Sequence, residues 1–149
     1  MLKRIELVPG PQDSAVPLSE VKRHLRVDHD DEDVIIAAYL EAAIAHLDGL
    51  SGTLGLALAP QTWRAVFCEG SNTDCLPLGP VISREAPVTG DGETSVVFVA
   101  GYPERIPAPI AAAIMLHVGT LYQTREQEAD KWQPTRAYEA LLAPWRRWT

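Results

Sequence analysis

Residues 34–47 carry apolar side chains on two adjoining helical stripes. Ile36, Leu40, Ala43, Ile44 and Leu47 form one, and Ile35, Ala38, Ala42 and Ala45 lie beside it. Together they cover more than the single face that an ordinary surface helix buries. A helix of this kind needs neighbours on two sides, and the rest of the chain has to supply them. Ahead of it, Ser19 reads as the N-cap of a short helix over 20–26, because its hydroxyl can accept from a free first-turn N–H. Residues 27–33 (Val-Asp-His-Asp-Asp-Glu-Asp) break the pattern. Asp28, Asp30 or Asp31 is expected to cap the long helix, with the following carboxylates at its positive end. The long helix is placed at 31–50, and Gly49 and Gly52 supply its stop.

The remaining segments follow from local pattern. Residues 1–17 contain Pro9, Gly10, Pro11 and Pro17, which predicts an extended N-terminal arm with a short strand over 4–8. Residues 53–60 form a connector rich in glycine and leucine. Residues 61–68 alternate as a strand does, 69–74 form a polar loop, and 76–83, with Pro77 and Pro80, form an edge strand or extended piece. Gly90-Asp91-Gly92 is a turn, and 94–100 is the clearest strand. A second long helix, 108–123, opens among Pro107 and Pro109, where proline is tolerated. Ile110, Ile114, Val118 and Leu121 form its stripe, widened by Met115 and Tyr122. The helix should fade over 123–128, and 131–134 is a loop. Thr135 is the candidate N-cap of a last short helix, 136–143, which Pro144 ends.

A chain of 149 residues, 46% hydrophobic and 22% charged, suits one domain with a real core. No apolar run is long enough to span a bilayer, and the N-terminus lacks a secretory hydrophobic region. The expected setting is therefore a cytoplasm without membrane attachment. Cys68 and Cys75 flank a predicted loop and are expected to be reduced thiols. The formal charge of −7 argues against a protein that holds nucleic acid through a basic footprint. An acidic surface past which DNA slides without sticking remains compatible.

Tests for chemistry fail one by one. Asp28, Asp30 and Glu32 resemble the opening of a calcium loop, but Asp33 stands where glycine is needed. Tyr39 stands where a bidentate glutamate is needed. Asp28, His29 and Asp30 as the start of a small metal-dependent hydrolase lack further spaced ligands. His24, His29, His46 and His117 show no mutual ligand spacing, and His117 on an apolar helix reads as a hydrogen-bonded core or interface residue. There is no phosphate loop, nucleophile elbow or CxxC. A helix-turn-helix over 18–45 would carry Lys22, Arg23 and Arg26, but its second helix opens with three carboxylates that phosphates repel. The residues point to no enzyme and no cofactor or metal.

The C-terminus is more informative. Trp145, Arg146, Arg147 and Trp148 follow Pro144, and tryptophan and arginine are enriched at interface hot spots. They either fold back on this chain's own core or dock on a partner.

Several stretches in order resemble one family. They are Leu18-Ser19-Glu20-Val21-Lys22, Leu25-Arg26-Val27-Asp28 with Asp30, Glu32 and Asp33, then residues 42–52, Gln61-Thr62-Trp63 and Leu76-Pro77 with Gly79-Pro80-Val81. Val97, Val99-Ala100-Gly101-Tyr102, Pro107 with Pro109-Ile110 and Ala113-Ile114, and Ala140-Leu141-Leu142-Ala143-Pro144-Trp145-Arg146 complete the set. The set resembles the small head–tail connector, or adaptor, proteins of long-tailed phages and of phage-derived gene transfer agents. The stretch between Val81 and Thr94 is shorter than the family's usual strand insertion, and residues 129–135 lack the glycine often seen before the last helix. The resemblance implies a virion protein at the head–tail interface, made in the host cytoplasm. Its copies would form a ring, typically twelvefold, under the portal protein. That ring would extend the DNA channel without sequence-specific binding and give a platform to a downstream neck, stopper or tail-terminator protein. The alternatives are a DNA-packaging accessory or DNA-binding protein of the same setting.

The expected fold is α+β and mainly α. It is a helical bundle-like subunit with a small antiparallel β element between two long helices, one domain over 1–149 with an arm at 1–17 and a docking tail at 144–149. Ile36, Leu40, Ile44, Leu47, Ile110, Ile114, Val118 and Leu121 are assigned to the core and subunit contacts. Trp145, Arg146, Arg147 and Trp148 are assigned to portal docking.

Overall fold

Two apolar clusters share the chain between them, one among helices and one against a sheet. The computed structural model describes residues 1–125 and 132–147. In order, the elements are β1 (Leu2–Leu7), α1 (Leu18–Leu25), α2 (Asp33–Leu47), β2 (Gln61–Cys68), β3 (Val81–Arg84), β4 (Val88–Gly90), β5 (Glu93–Ala100), α3 (Ala108–Gln123) and α4 (Arg136–Leu142). A 3-10 turn, Ala143–Trp145, follows α4.

The sheet is antiparallel, in the order β1-β2-β5-β3, with β4 on the other half of the β5 edge that β3 occupies. β5 shows the cleanest alternation: Thr94, Val96, Phe98 and Ala100 are buried and the residues between are half-exposed. That is the period of a strand with one covered face. Trp63, Ala65 and Phe67 of β2 join Val96, Phe98 and Ala100, and Leu76 and Leu78 fold over them from the loop before β3. The α+β class therefore holds, but the mainly helical expectation gives way to a five-stranded sheet. The arm contributes β1, and residues 81–90 make two short strands rather than one. The strand expected over 4–8 overlaps β1 and the extended piece expected over 76–83 overlaps β3, whereas β4 has no counterpart in the pattern, because its three residues are all exposed.

In the helical cluster, Ile36, Leu40, Ala43 and Leu47 of α2 meet Ile110, Ala113, Ile114 and Val118 of α3, with Val21 of α1 and Tyr138 and Leu142 of α4. The connector between α2 and β2 is the seam of the molecule. Leu54, Leu56 and Leu58 turn into the helical cluster, whereas Ala57 turns into the sheet cluster. Asp48, just past α2, fastens that seam. Its Oδ1 accepts from the Leu58 N–H at 2.7 Å and its Oδ2 from Gln61 Nε2 at 2.6 Å. Gln61 Oε1 in turn accepts from Trp63 Nε1 at 3.2 Å.

The expected helix caps are partly corrected. Pro17, not Ser19, precedes α1, and no side chain caps it. Glu32 precedes α2, again without a side-chain cap, so α2 starts two residues after the expected 31. The reason is competition. Lys22 Nζ holds Asp30 at 2.6 Å and Asp33 at 2.7 Å, and Glu32 reaches across to α3. The predicted cap of α4 is present: Thr135 Oγ1 accepts from the Tyr138 N–H at 3.2 Å, and Pro144 falls in the 3-10 turn.

Candidate functional site

α4 and its 3-10 turn bring the C-terminal residues across the seam. Trp145 is half-buried against the helical cluster. Arg146 Nη2 pairs with Glu139 Oε2 at 2.5 Å, seven residues back on α4. The Arg147 N–H donates to the Leu54 carbonyl at 3.2 Å, which lays the tail on the connector. Its side chain is exposed and runs past Gly79, where Nη1 lies 3.4 Å from the position of a Cβ. Between tail and loop is an open groove of about 560 Å³, lined by Leu56, Leu78, Tyr102, Pro144, Trp145 and Arg147. Burial raises the Tyr102 phenol above its usual pKa. Asp74 and Arg146 line the groove along with Arg147, so its charged groups are of both signs. Trp148 lies outside the described residues.

The eight core or contact candidates fall as follows. Ile36, Leu40, Leu47, Ile110, Ile114 and Val118 are buried within this chain. Ile44 and Leu121 are half-buried. These side chains leave little surface for a neighbour. The large apolar residues of these helices that do face outward are Val34, 87% exposed, Ile35 and, on α3, Leu116. Their stripes were visible in the sequence, but which stripe faces the core depends on where the other helices pack.

The acidic corner is an ion-pair hub. Glu32 accepts from the Tyr122 hydroxyl and pairs with Arg125 Nη2 at 2.5 Å, while the Arg125 guanidinium lies 4.3 Å over the Tyr122 ring. The Tyr122 hydroxyl and then Arg125 hold the Glu32 carboxyl below its usual pKa. Asp30 is likewise lowered, chiefly by Lys22. Among the described residues, no three or more His, Cys, Asp or Glu side chains converge as metal ligands. Cys68 and Cys75 are free thiols.

One arrangement escaped the sequence. His46 and His117 meet with ring centroids 5.6 Å apart, and Trp132 stacks on His117 at 3.9 Å. The two histidines sit on different helices, so no spacing along the chain announces them. Burial, then His46, lowers the His117 pKa to about 4, which leaves a neutral imidazole in an aromatic cluster with Tyr138.

The family described as phage gp6-like head-tail connector protein matches residues 16–141. Comparison with curated proteins returns no match. Among solved structures, a chain in the neck of an empty GTA particle, computed with C6 symmetry, is 21% identical with a TM-score of 0.76. A chain in the virion of a native gene transfer agent particle is 22% identical with a TM-score of 0.74. A chain in the neck of a native GTA particle, computed with C12 symmetry, is 21% identical with a TM-score of 0.72. Each alignment covers 99% of this chain and 97% of the other. At this identity the likeness is one of fold.

Proposed function

The chain belongs to the phage gp6-like head-tail connector family, and from that premise we propose that it is an adaptor subunit whose copies ring the DNA exit beneath a portal. The ring is twelvefold in this reading, extends the DNA channel, and offers its far side to the next neck, stopper or tail-terminator protein. The protein works as a structural part, without catalysis. The observation that carries the reading is the family match from residue 16 to residue 141, which spans both apolar clusters.

Charge supports the same role. At −7, the subunit lacks the excess of cations that condenses onto phosphates, so DNA can traverse such a ring without adhering. The tail is the portal-docking element in this reading. Trp145 and Arg146 are tethered to the chain's own helices, and Arg147, at the lip of the groove, is free to meet an acidic or carbonyl-rich portal surface. Trp148 extends the same segment.

Purified protein mixed with its cognate portal should co-elute and give a ring-sized mass by light scattering. Deletion of residues 145–149 should abolish that association and leave the far-ultraviolet circular dichroism unchanged. Arg147→Glu should weaken association without lowering the melting temperature, since its side chain is exposed. A protein that ignores its portal, or a tail deletion that unfolds the chain, would overturn the assignment of the tail.

A further inference from the structure

The sheet ends in two edges without a partner strand. In the order β1-β2-β5-β3 every neighbouring pair is antiparallel, so β1 and β3 run in opposite directions at opposite ends of the sheet. β1 is exposed at five of its six residues, and β3 and β4 at every residue. Free N–H and C=O groups on an edge invite another strand, and sheets commonly blunt them with charge. These edges instead carry Leu2, Leu7, Val81, Ile82 and Val88, half of the exposed large apolar side chains among the described residues. The ladder bonds show which backbone groups are free. The Val8 N–H donates to the Thr62 carbonyl at 2.9 Å, one step beyond the Leu7–Trp63 pair. Bonded and unbonded positions alternate in an antiparallel pair, so the N–H and C=O of Ile5 and Leu7 point away from β2. The Glu85 N–H donates to the Val97 carbonyl at 2.8 Å, one step beyond the Arg84–Phe98 pair. By the same alternation the backbone groups of Arg84 point away from β5.

Resting on the ring reading above, we propose that β1 of one copy pairs with β3 of the next, so that the sheets join edge to edge around the ring. The two copies contribute different edges, as a head-to-tail ring requires. Neighbours in a twelvefold ring differ by a twelfth of a turn, which keeps β1 and the next copy's β3 close to antiparallel. The free backbone groups then set the register. Ile5 and Arg84 exchange two hydrogen bonds across the seam. That places Leu7 opposite Ile82, both apolar, Glu6 opposite Ser83, and Arg4 opposite Glu85, with charges of opposite sign. A slip of one residue would turn the apolar side chains of β1 to the other face. A slip of two in one direction sets Lys3 against Arg84, two like charges. A slip of two in the other brings Pro9, which has no N–H to donate, against Ile82. Ile5 already packs on the sheet cluster, so the seam extends that apolar face toward the next copy.

Glu6 and Ser83 form an unbonded pair in this register, the position where strands lie closest, about 4.5 Å between Cα atoms. That spacing admits a disulfide. In a background with Cys68 and Cys75 replaced by serine, Glu6→Cys and Ser83→Cys proteins are prepared separately, mixed and oxidised, alone at high concentration and on the portal. Disulfide dimers are expected in the mixture, and the double variant should give a ladder of oligomers. Arg4→Cys in place of Glu6→Cys, two residues out of register, should lose most of that product. In the natural protein, peptides covering 1–8 and 81–86 should gain protection from amide exchange together on assembly. Dimers formed by the Glu6→Cys protein alone, in preference to the mixture, would mean that β1 pairs with itself about a two-fold axis, and would overturn the proposal. So would rings on the portal that give no cross-link and leave both edges exchanging, an outcome that leaves the neck reading standing. Cross-linked rings that ignore the portal would overturn that reading and leave this contact. No assembly under either condition would overturn both.

Discussion

His117, which is buried, and Asp48, which is half-buried, are ionisable groups whose effects on stability run in opposite directions. Burial lowers the His117 pKa from 6.5 to about 4, so the folded state favours the neutral ring. Its contribution is fully present above pH 6.5 and is lost as the pH falls from there through about 4. Burial raises the Asp48 carboxyl above 3.8, against the hydrogen bonds from Leu58 and Gln61. The contribution of that proton is present below 3.8 and is lost as the pH rises through the folded value. Urea midpoints measured from pH 7 to pH 4.5 should fall for the natural protein, and His117→Gln should flatten that slope. An unchanged slope would mean that the imidazole is hydrated.

At the scale of elements, two glycines separate backbone conformation from crowding. Asp91 and Gly92 both have positive φ, 52° and 74°, the geometry of the tight turn that joins β4 to β5 and suits the right-handed strand twist. A Cβ on Gly92 would meet nothing within 4 Å. Gly92→Ala should therefore cost only the backbone term, about 1 kcal/mol. A Cβ on Gly52 would lie 2.2 Å from the Leu47 carbonyl oxygen, where the chain folds back over the end of α2 and the Thr53 N–H donates to the His46 carbonyl. Gly52→Ala should cost about 3 kcal/mol, since backbone must move. Denaturant titration of the two variants checks the ranking, and equal losses would contradict it.

At the scale of the whole molecule, charge and shape bear on the passage of DNA. A connector that gripped duplex DNA would stall its exit. Non-specific DNA binding commonly has dissociation constants of roughly 10⁻⁴–10⁻⁶ M at physiological salt and weakens steeply as salt rises. The purified protein should bind duplex DNA more weakly than that range by fluorescence anisotropy and show no salt-dependent retention. Tight binding with a steep salt slope would favour the accessory DNA-binding alternative. The connector segment between α2 and β2 carries the mechanical continuity of the subunit, because its leucines and its alanine point into opposite clusters.

What the sequence determined by itself is what local chemistry controls. The periodic apolar residues of α2 and α3, the alternation of 61–68 and 94–100, the Asp91-Gly92 turn and the Thr135 cap each depend on residues within a few positions of one another. The ordered landmarks pointed to the family before any coordinate did. The tertiary structure alone decided which stripe of α2 faces the core, that Leu2–Leu7 joins the sheet, and that His46 meets His117. It also drew the acidic corner away from capping, toward Lys22, Tyr122 and Arg125. Those outcomes are set by partners up to ninety residues away, and a pattern read along the chain contains no term for a neighbour that only folding brings close.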